Sequence, residues 1–153
     1  MKDEPNRTAL AATAARVHRF ERALTIRFSH CDPAGIVFYP RYFVMFNDLI
    51  EDWVSSALGI PYAELIGRRR TGLPSVSVNS QFHAVSRMGD EVQMGLTLEH
   101  IGRSSLRLSL GCRQGTEQRA QVQQVLVVTD LDTHRPIAIP DDLRRAMVAF
   151  QHD

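Results

Sequence analysis

The side chains best placed to do chemistry in this 153-residue sequence cluster between His30 and Tyr42. The segment His30-Cys31-Asp32-Pro33-Ala34-Gly35-Ile36-Val37-Phe38-Tyr39-Pro40 puts a carboxylate in a tight loop punctuated by proline and glycine. A helix is expected to begin seven or eight residues later. Helix starts leave backbone donors unpaired, and Pro40 has no N–H, so the free donors there are the amides of Tyr39, Arg41 and Tyr42. Such an end favours negative charge, whether a bound carboxylate or a developing oxyanion. If the loop folds Asp32 back over the helix start, a nucleophile or base and an oxyanion donor reach one carbonyl. That combination suits acyl transfer or hydrolysis. The competing reading is an Asp32 that only caps a turn before Pro33. His30 could pair with the carboxylate, or simply be hydrogen-bonded or solvated. Cys31 points the other way in an extended chain and reads as a packed apolar residue, not a nucleophile.

Other signatures are missing from the sequence. It has no glycine-rich phosphate loop and no Gly-x-Ser-x-Gly elbow. The six histidines are scattered, and the two cysteines, Cys31 and Cys112, are far apart, which argues against a metal site or a disulfide scaffold. Lys+Arg 18 against Asp+Glu 17 leaves a net charge of +1, so no overall field favours nucleic acid or an acidic membrane. No apolar run reaches the ~18 residues of a spanning helix. The opening residues lack the apolar segment of a secretory signal. The composition, 44% hydrophobic and 23% charged, fits one ordinary domain, which we expect in the cytoplasm.

These residues need elements to position them. Residues 1–19 read as a flexible leader and 20–153 as a single domain. Leu24, Ile26 and Phe28 alternate as a short strand over Ala23–Phe28. From Pro40 to Leu58, apolar residues recur at helical spacing in a stripe covering more than half the circumference, as in a helix wrapped by sheet or by a partner. Pro40 suits the first helical position, and Gly59 with Pro61 supplies the stop. Four alternating runs follow: Val76 to Phe82, Val92 to Leu98, Leu106 to Cys112 and Val122 to Val128. Gly89, Gly102 and Gly115 mark the loops between them, so an antiparallel meander is expected. Leu143, Met147 and Phe150 share one face of a closing helix. The fold class is therefore α+β, one long apolar helix against a curved antiparallel sheet.

The run Asp32-Pro33-Ala34-Gly35-Ile36-Val37-Phe38-Tyr39-Pro40-Arg41-Tyr42 resembles the signature of the 4-hydroxybenzoyl-CoA thioesterases of the hotdog-fold superfamily. Gly72 through Phe82 resembles that family's second strand, and Gly102-Arg103-Ser104-Ser105 its turn between later strands. The resemblance spans roughly Leu24 to Leu143. It implies a thioester hydrolase in which Asp32 is the nucleophile or general base and the Tyr39 amide holds the oxyanion. It implies acyl contacts from Phe38 and from Asn47 or Asp48. Asn47 stands where the family's ring-binding aspartate falls, and Asp48 is adjacent but points about 100° away. CoA, part of the substrate and not a cofactor, would be held by Arg103, Ser104 and Ser105, with Arg68-Arg69-Arg70 as an alternative phosphate clamp. The resemblance also implies dimers that pair into tetramers. Two alternatives stay open: a short-chain aliphatic acyl-CoA or acyl-carrier-protein thioesterase of the same fold, and a non-catalytic acyl-CoA-binding module.

Overall fold

A computed structural model of the chain describes residues 18–153, so the expected leader lies outside the described residues apart from His18 and Arg19. In chain order the elements are β1 (Phe20–Thr25), a 3-10 turn (Phe28–His30), α1 (Tyr39–Asp52), π-helical turns at Trp53–Ala57 and Glu64–Arg68, β2 (Thr71–Gly72) and β3 (Ser75–Phe82). They continue with β4 (Glu91–Ile101), β5 (Ser105–Gln114), β6 (Glu117–Val127), β7 (Thr129–Asp130), β8 (Arg135–Pro136) and α2 (Asp141–His152). The main sheet has the order β1-β4-β5-β6-β3, and every neighbouring pair is antiparallel. A small ladder, β2-β7-β8, closes one end.

Period-two alternation turns one side of each central strand inward. Val92, Met94, Leu96 and Leu98 of β4 are buried with Leu106, Leu108, Leu110 and Cys112 of β5. Against that face lies α1, burying Tyr42, Met45, Phe46, Leu49 and Ile50, and the turn after it buries Trp53 and Val54. The wide stripe is thus the mark of a helix enclosed by its sheet, as the sequence pattern predicts. Leu143, Met147 and Phe150 bury the inner face of α2 as expected, and Phe150 meets Trp53 edge-on at 5.6 Å.

The expected four-strand meander holds only for β4-β5-β6: β3 crosses over to pair with β6, because β1 takes the other side of β4. Two boundaries also differ from expectation. The first strand runs Phe20–Thr25 and stops before Phe28, which is 83% exposed in the 3-10 turn. Its partner β4 begins at Glu91, opposite Thr25, so the ladder ends there whatever the later alternation. Pro40 takes the second helical position, because Phe38 is the N-cap and Tyr39 the first helical residue.

Candidate active site

The loop before α1 is a miniature hairpin. The Phe38 amide donates to the His30 carbonyl at 3.0 Å, Cys31 bridges Val37, and the Asp32 amide donates to the Ile36 carbonyl at 3.0 Å. At its tip the Gly35 amide returns to the Asp32 carbonyl at 2.9 Å, with Gly35 at φ 75°, where a side chain would be strained. The Asp32 carboxylate accepts the Ala34 amide at 2.9 Å through Oδ1, leaving the other oxygen uncommitted among the described residues. The turn-capping role is therefore real, and it takes up only one oxygen. Opposite Ile36, Asp32 stands three residues short of Tyr39, about 10 Å of extended chain.

At the head of α1 the donors differ from expectation. The Arg41 amide is spent on the Phe38 carbonyl at 2.8 Å. Pro40 has no N–H. The Tyr39 amide donates to no acceptor among the described residues, and Tyr39 lines an open cleft of about 560 Å³. Ile36, Val37, Tyr39, Tyr42, Phe82 and Ser86 contribute to the walls, so hairpin, helix head and the segment after β3 converge there. Three aromatic rings share the lining with aliphatic Ile36, Val37, Ala84 and Val85, the Phe82 ring lying 6.1 Å from Tyr39 and 5.7 Å from Tyr42. Asp32, half-buried at the hairpin tip, is not among the residues that line the cleft of the single chain.

Beneath the cleft lies a polar network that sequence reading missed. The Tyr42 hydroxyl is 2.8 Å from Ser86 Oγ, and burial pushes the phenol's pKa up, so it stays neutral. Arg119, 6% exposed, donates to Asp90 Oδ2 at 2.9 Å, to the Val85 carbonyl and to Gln114. Its Nε lies 2.6 Å from Glu117 Oε1, close enough for an ion pair but without hydrogen-bond alignment. The Arg119 carbonyl in turn accepts the His83 and Ala84 amides. One residue thereby holds the segment from His83 to Asp90, part of which walls the cleft, with its carbonyl at His83 and Ala84 and its guanidinium at Val85 and Asp90. An arginine in an alternating strand gives no warning of this, because its partners come from other elements. Arg119→Ala strips the Val85 carbonyl of its guanidinium donor and leaves the Asp90 carboxylate with only the Arg87 amide among the described residues, and should cost about 2–4 kcal/mol in urea unfolding. A loss under about 0.5 kcal/mol, the level of ordinary surface substitutions, would refute the network's role.

The remaining candidates separate. Phe38 is half-exposed at the N-cap, its ring 5.6 Å from that of Tyr39. Asn47 and Asp48 are both exposed but take different sides of α1. Asn47 follows Phe43 by one turn, and Phe43 packs at 6.5 Å against Phe82 on the cleft side. Asp48 lines a separate pocket of about 160 Å³ with His30, Leu24 and Met94. His30 therefore does not pair with Asp32; its Nδ1 accepts the Arg27 amide at 2.9 Å. Cys31 packs against the core, with Sγ 3.4 Å from the Arg27 carbonyl.

The three consecutive arginines are not free to clamp a phosphate. Arg68 pairs with Glu64, Arg69 is bidentate to Asp142 at 2.7 and 2.9 Å, and Arg70 meets Asp132 at 2.9 Å. Arg103 is exposed and makes no ion pair among the described residues. Its turn is held through the backbone, with the carbonyls of Arg103 and Ser104 accepting the amides of Ile139 at 2.9 Å and Val128 at 2.7 Å. Gly102 closes against the Ser105 carbonyl at 2.7 Å, and a Cβ there would come within 2.8 Å of Ser105 Oγ. The turn and Asp32 lie at opposite ends of β4. The Met88 amide bonds the Gly35 carbonyl just before β4 begins, whereas Arg103 follows its last residue, about 33 Å further along the strand.

This arrangement has known counterparts. A family model described as the thioesterase-like superfamily matches residues 26–147. The chain belongs to that superfamily. It is a thioester hydrolase of the hotdog fold, its long helix enclosed by a curved antiparallel sheet. A 1,4-dihydroxy-2-naphthoyl-CoA thioesterase from Synechocystis superposes with a TM-score of 0.79 at 20% identity, covering 88% of this chain and 99% of its own. The gentisyl-coenzyme A thioesterase BH1999 superposes at 0.75 with 25% identity, covering 82% and 99%. A Staphylococcus aureus protein in complex with CoA superposes at 0.79 with 14% identity, covering 88% and 85%. No curated protein matches the chain in sequence. Among the described residues no helix is long and apolar enough to cross a membrane, and no cluster of metal-ligating side chains occurs.

Proposed function

We propose that this thioesterase hydrolyses aromatic acyl-CoA esters, with Asp32 acting on the thioester carbonyl and the Tyr39 amide holding the developing oxyanion. The observation that carries this reading is the unbonded amide of Tyr39 at the head of α1, a residue that lines, with Tyr42 and Phe82, the cleft beside the hairpin that carries Asp32. Two routes use the same atoms. In one, the Asp32 carboxylate forms a bond to the carbonyl carbon, the C–S bond breaks, CoA leaves as thiolate, and water hydrolyses the mixed anhydride to free acid. In the other, Asp32 takes a proton from water as that water attacks. Neither needs a strong acid, because thiolate leaves readily. Label appearing in Asp32 after turnover in heavy-oxygen water identifies the first route, which alone makes an aspartyl anhydride that water can open at the aspartyl carbon.

The aromatic preference rests on Tyr39, Tyr42, Phe43 and Phe82, together with the dihydroxyaryl-CoA esters named for two of the similar structures. Asn47, on the same side of α1 as Phe43, is the residue to meet a ring hydroxyl, whereas Asp48 faces the other pocket. A panel of acyl-CoA and acyl-carrier-protein esters, followed by release of free thiol, tests this. Hydroxyaryl-CoA should lead short aliphatic esters by at least tenfold in kcat/KM, a difference of about 1.4 kcal/mol in transition-state binding. Aliphatic or carrier-protein esters in the lead would refute the preference.

A second copy of the chain completes the site. β3 is an edge strand exposed on both faces, with Val76 61% and Val78 46% exposed and no charge or proline to block pairing. Two copies joined antiparallel through β3 set the Ser75 end of one beside the Phe82 end of the other. The turn holding Arg103, Ser104 and Ser105 then comes from the partner subunit. It lies three strand spacings, about 14 Å, from the cleft it serves. Arg103→Ala should raise KM for the CoA ester roughly tenfold while kcat stays within twofold, the pattern of lost uniform binding. Mixed dimers of Arg103→Ala and Asp32→Asn chains should regain sites with the original KM, since one site then holds both intact residues. Mixed dimers showing only the raised KM would place Arg103 in the same chain's site.

A further inference from the structure

We propose that His30 is a positioning residue whose neutral imidazole holds the Asp32 hairpin in its working geometry and releases it on protonation. The inference rests on Asp32 being the reacting carboxylate. Three bonds tie His30 to both ends of the loop. Its amide donates to the Arg27 carbonyl at 3.0 Å, its carbonyl accepts the Phe38 amide at 3.0 Å, and its Nδ1 accepts the Arg27 amide at 2.9 Å. The last of these needs a lone pair. An imidazolium carries a proton on Nδ1, which would face the Arg27 N–H donor to donor and break the contact. The residue thus closes the 3-10 turn on one side and pins the entrance to α1 on the other, with Asp32 and Tyr39 as the nearest groups affected.

The surroundings set the direction of the titration. Burial, then the positive charges of Arg27 and of Arg41 on α1, hold the imidazole's pKa below its ordinary 6.5, and the Asp48 carboxylate opposes them. Across the same pocket stand Arg22 of β1 and Asp52 of α1, themselves 3.8 Å apart. A group whose pKa is depressed by folding favours the folded turn at neutral pH. That support disappears as pH falls through the depressed value, so release comes below the ordinary imidazole range.

His30→Asn separates the acceptor from the titration. Asparagine Oδ1 stands at the same bond distance from the backbone as imidazole Nδ1 and accepts the Arg27 amide, but it gains no proton. In the full-length chain, the wild-type Arg27 amide resonance should shift with the same midpoint as the His30 ring between pH 7.5 and 5. In His30→Asn it should stay fixed. An Arg27 amide indifferent to titration of the ring would overturn the proposal, and this readout does not depend on activity. In turnover of an aryl-CoA ester, wild-type kcat should fall on an acid limb below pH 6.5 that His30→Asn lacks. At pH 7.5 His30→Ala should lose about tenfold in kcat with KM within twofold, the cost of a slightly misplaced reacting group. An unchanged acid limb in His30→Asn, or wild-type kcat in His30→Ala, would also overturn it. If wild type hydrolysed no acyl-CoA, the Asp32 assignment would fail, and the Arg27 amide would still decide whether His30 holds the turn.

Discussion

Asp32→Asn should lower kcat for an aryl-CoA ester by roughly 10³-fold while leaving the fold intact. Asparagine keeps an Oδ1 to accept the Ala34 amide, so the hairpin tip that Asp32 caps at 2.9 Å survives the change. What it loses is the uncommitted, negatively charged oxygen. The amide nitrogen that replaces it neither attacks a thioester nor accepts a proton from water. Unfolding free energy should therefore stay within about 0.5 kcal/mol of wild type, because the site is a partly exposed turn and no core contact changes. Circular dichroism with urea checks the fold, and thiol release in the same preparation checks the chemistry. Turnover within tenfold of wild type would remove Asp32 from both of its roles.

The second large effect concerns a backbone atom that ordinary substitution leaves in place. Tyr39 is the first residue of α1, where proline is well tolerated because that N–H has no helical partner. The preceding Phe38 has φ −68° and ψ 119°, an extended conformation that a following proline accepts. Tyr39→Pro should therefore delete the oxyanion donor without unwinding the helix. Tyr39→Ala controls for loss of the ring against Phe82. Compared with Tyr39→Ala, the proline variant should lose a further 10²–10³-fold in kcat, about the effect of removing one oxyanion donor. Equal rates for the two variants would show that this amide holds no oxyanion.

Much of the fold is legible in the sequence because burial imposes a period on it. The alternation of Val92, Met94, Leu96 and Leu98 reports a strand with one buried face, and the crowded stripe from Tyr42 to Val54 reports a helix enclosed by sheet. The end of the first strand was not legible, because the position of β4, and not the alternation at Phe28, decides where pairing stops. The hairpin around Asp32 shows itself through Pro33 and Gly35. The state of individual amides does not: that Arg41 is spent on Phe38 while Tyr39 stays free depends on how the chain enters α1. Arg119 and Ser86 were invisible for the same reason, since each acts through partners brought together only by the fold. The distance from Arg103 to Asp32 follows from the length of β4, eleven residues, once the topology assigns the two groups to its opposite ends.

The claim on which the whole proposal depends is that one carbonyl sits between the Asp32 carboxylate and the Tyr39 amide. Because Asp32→Asn should bind ester without turning it over, it permits a direct reading of that carbonyl. An aryl-CoA ester carrying carbon-13 at the thioester carbon, bound to Asp32→Asn, can be followed by infrared difference spectroscopy. The bound carbonyl band should move to lower frequency than in free ester, and the shift should vanish when Tyr39→Pro is added. A bound ester whose band matches that of free ester, with or without the proline, would contradict the proposed site.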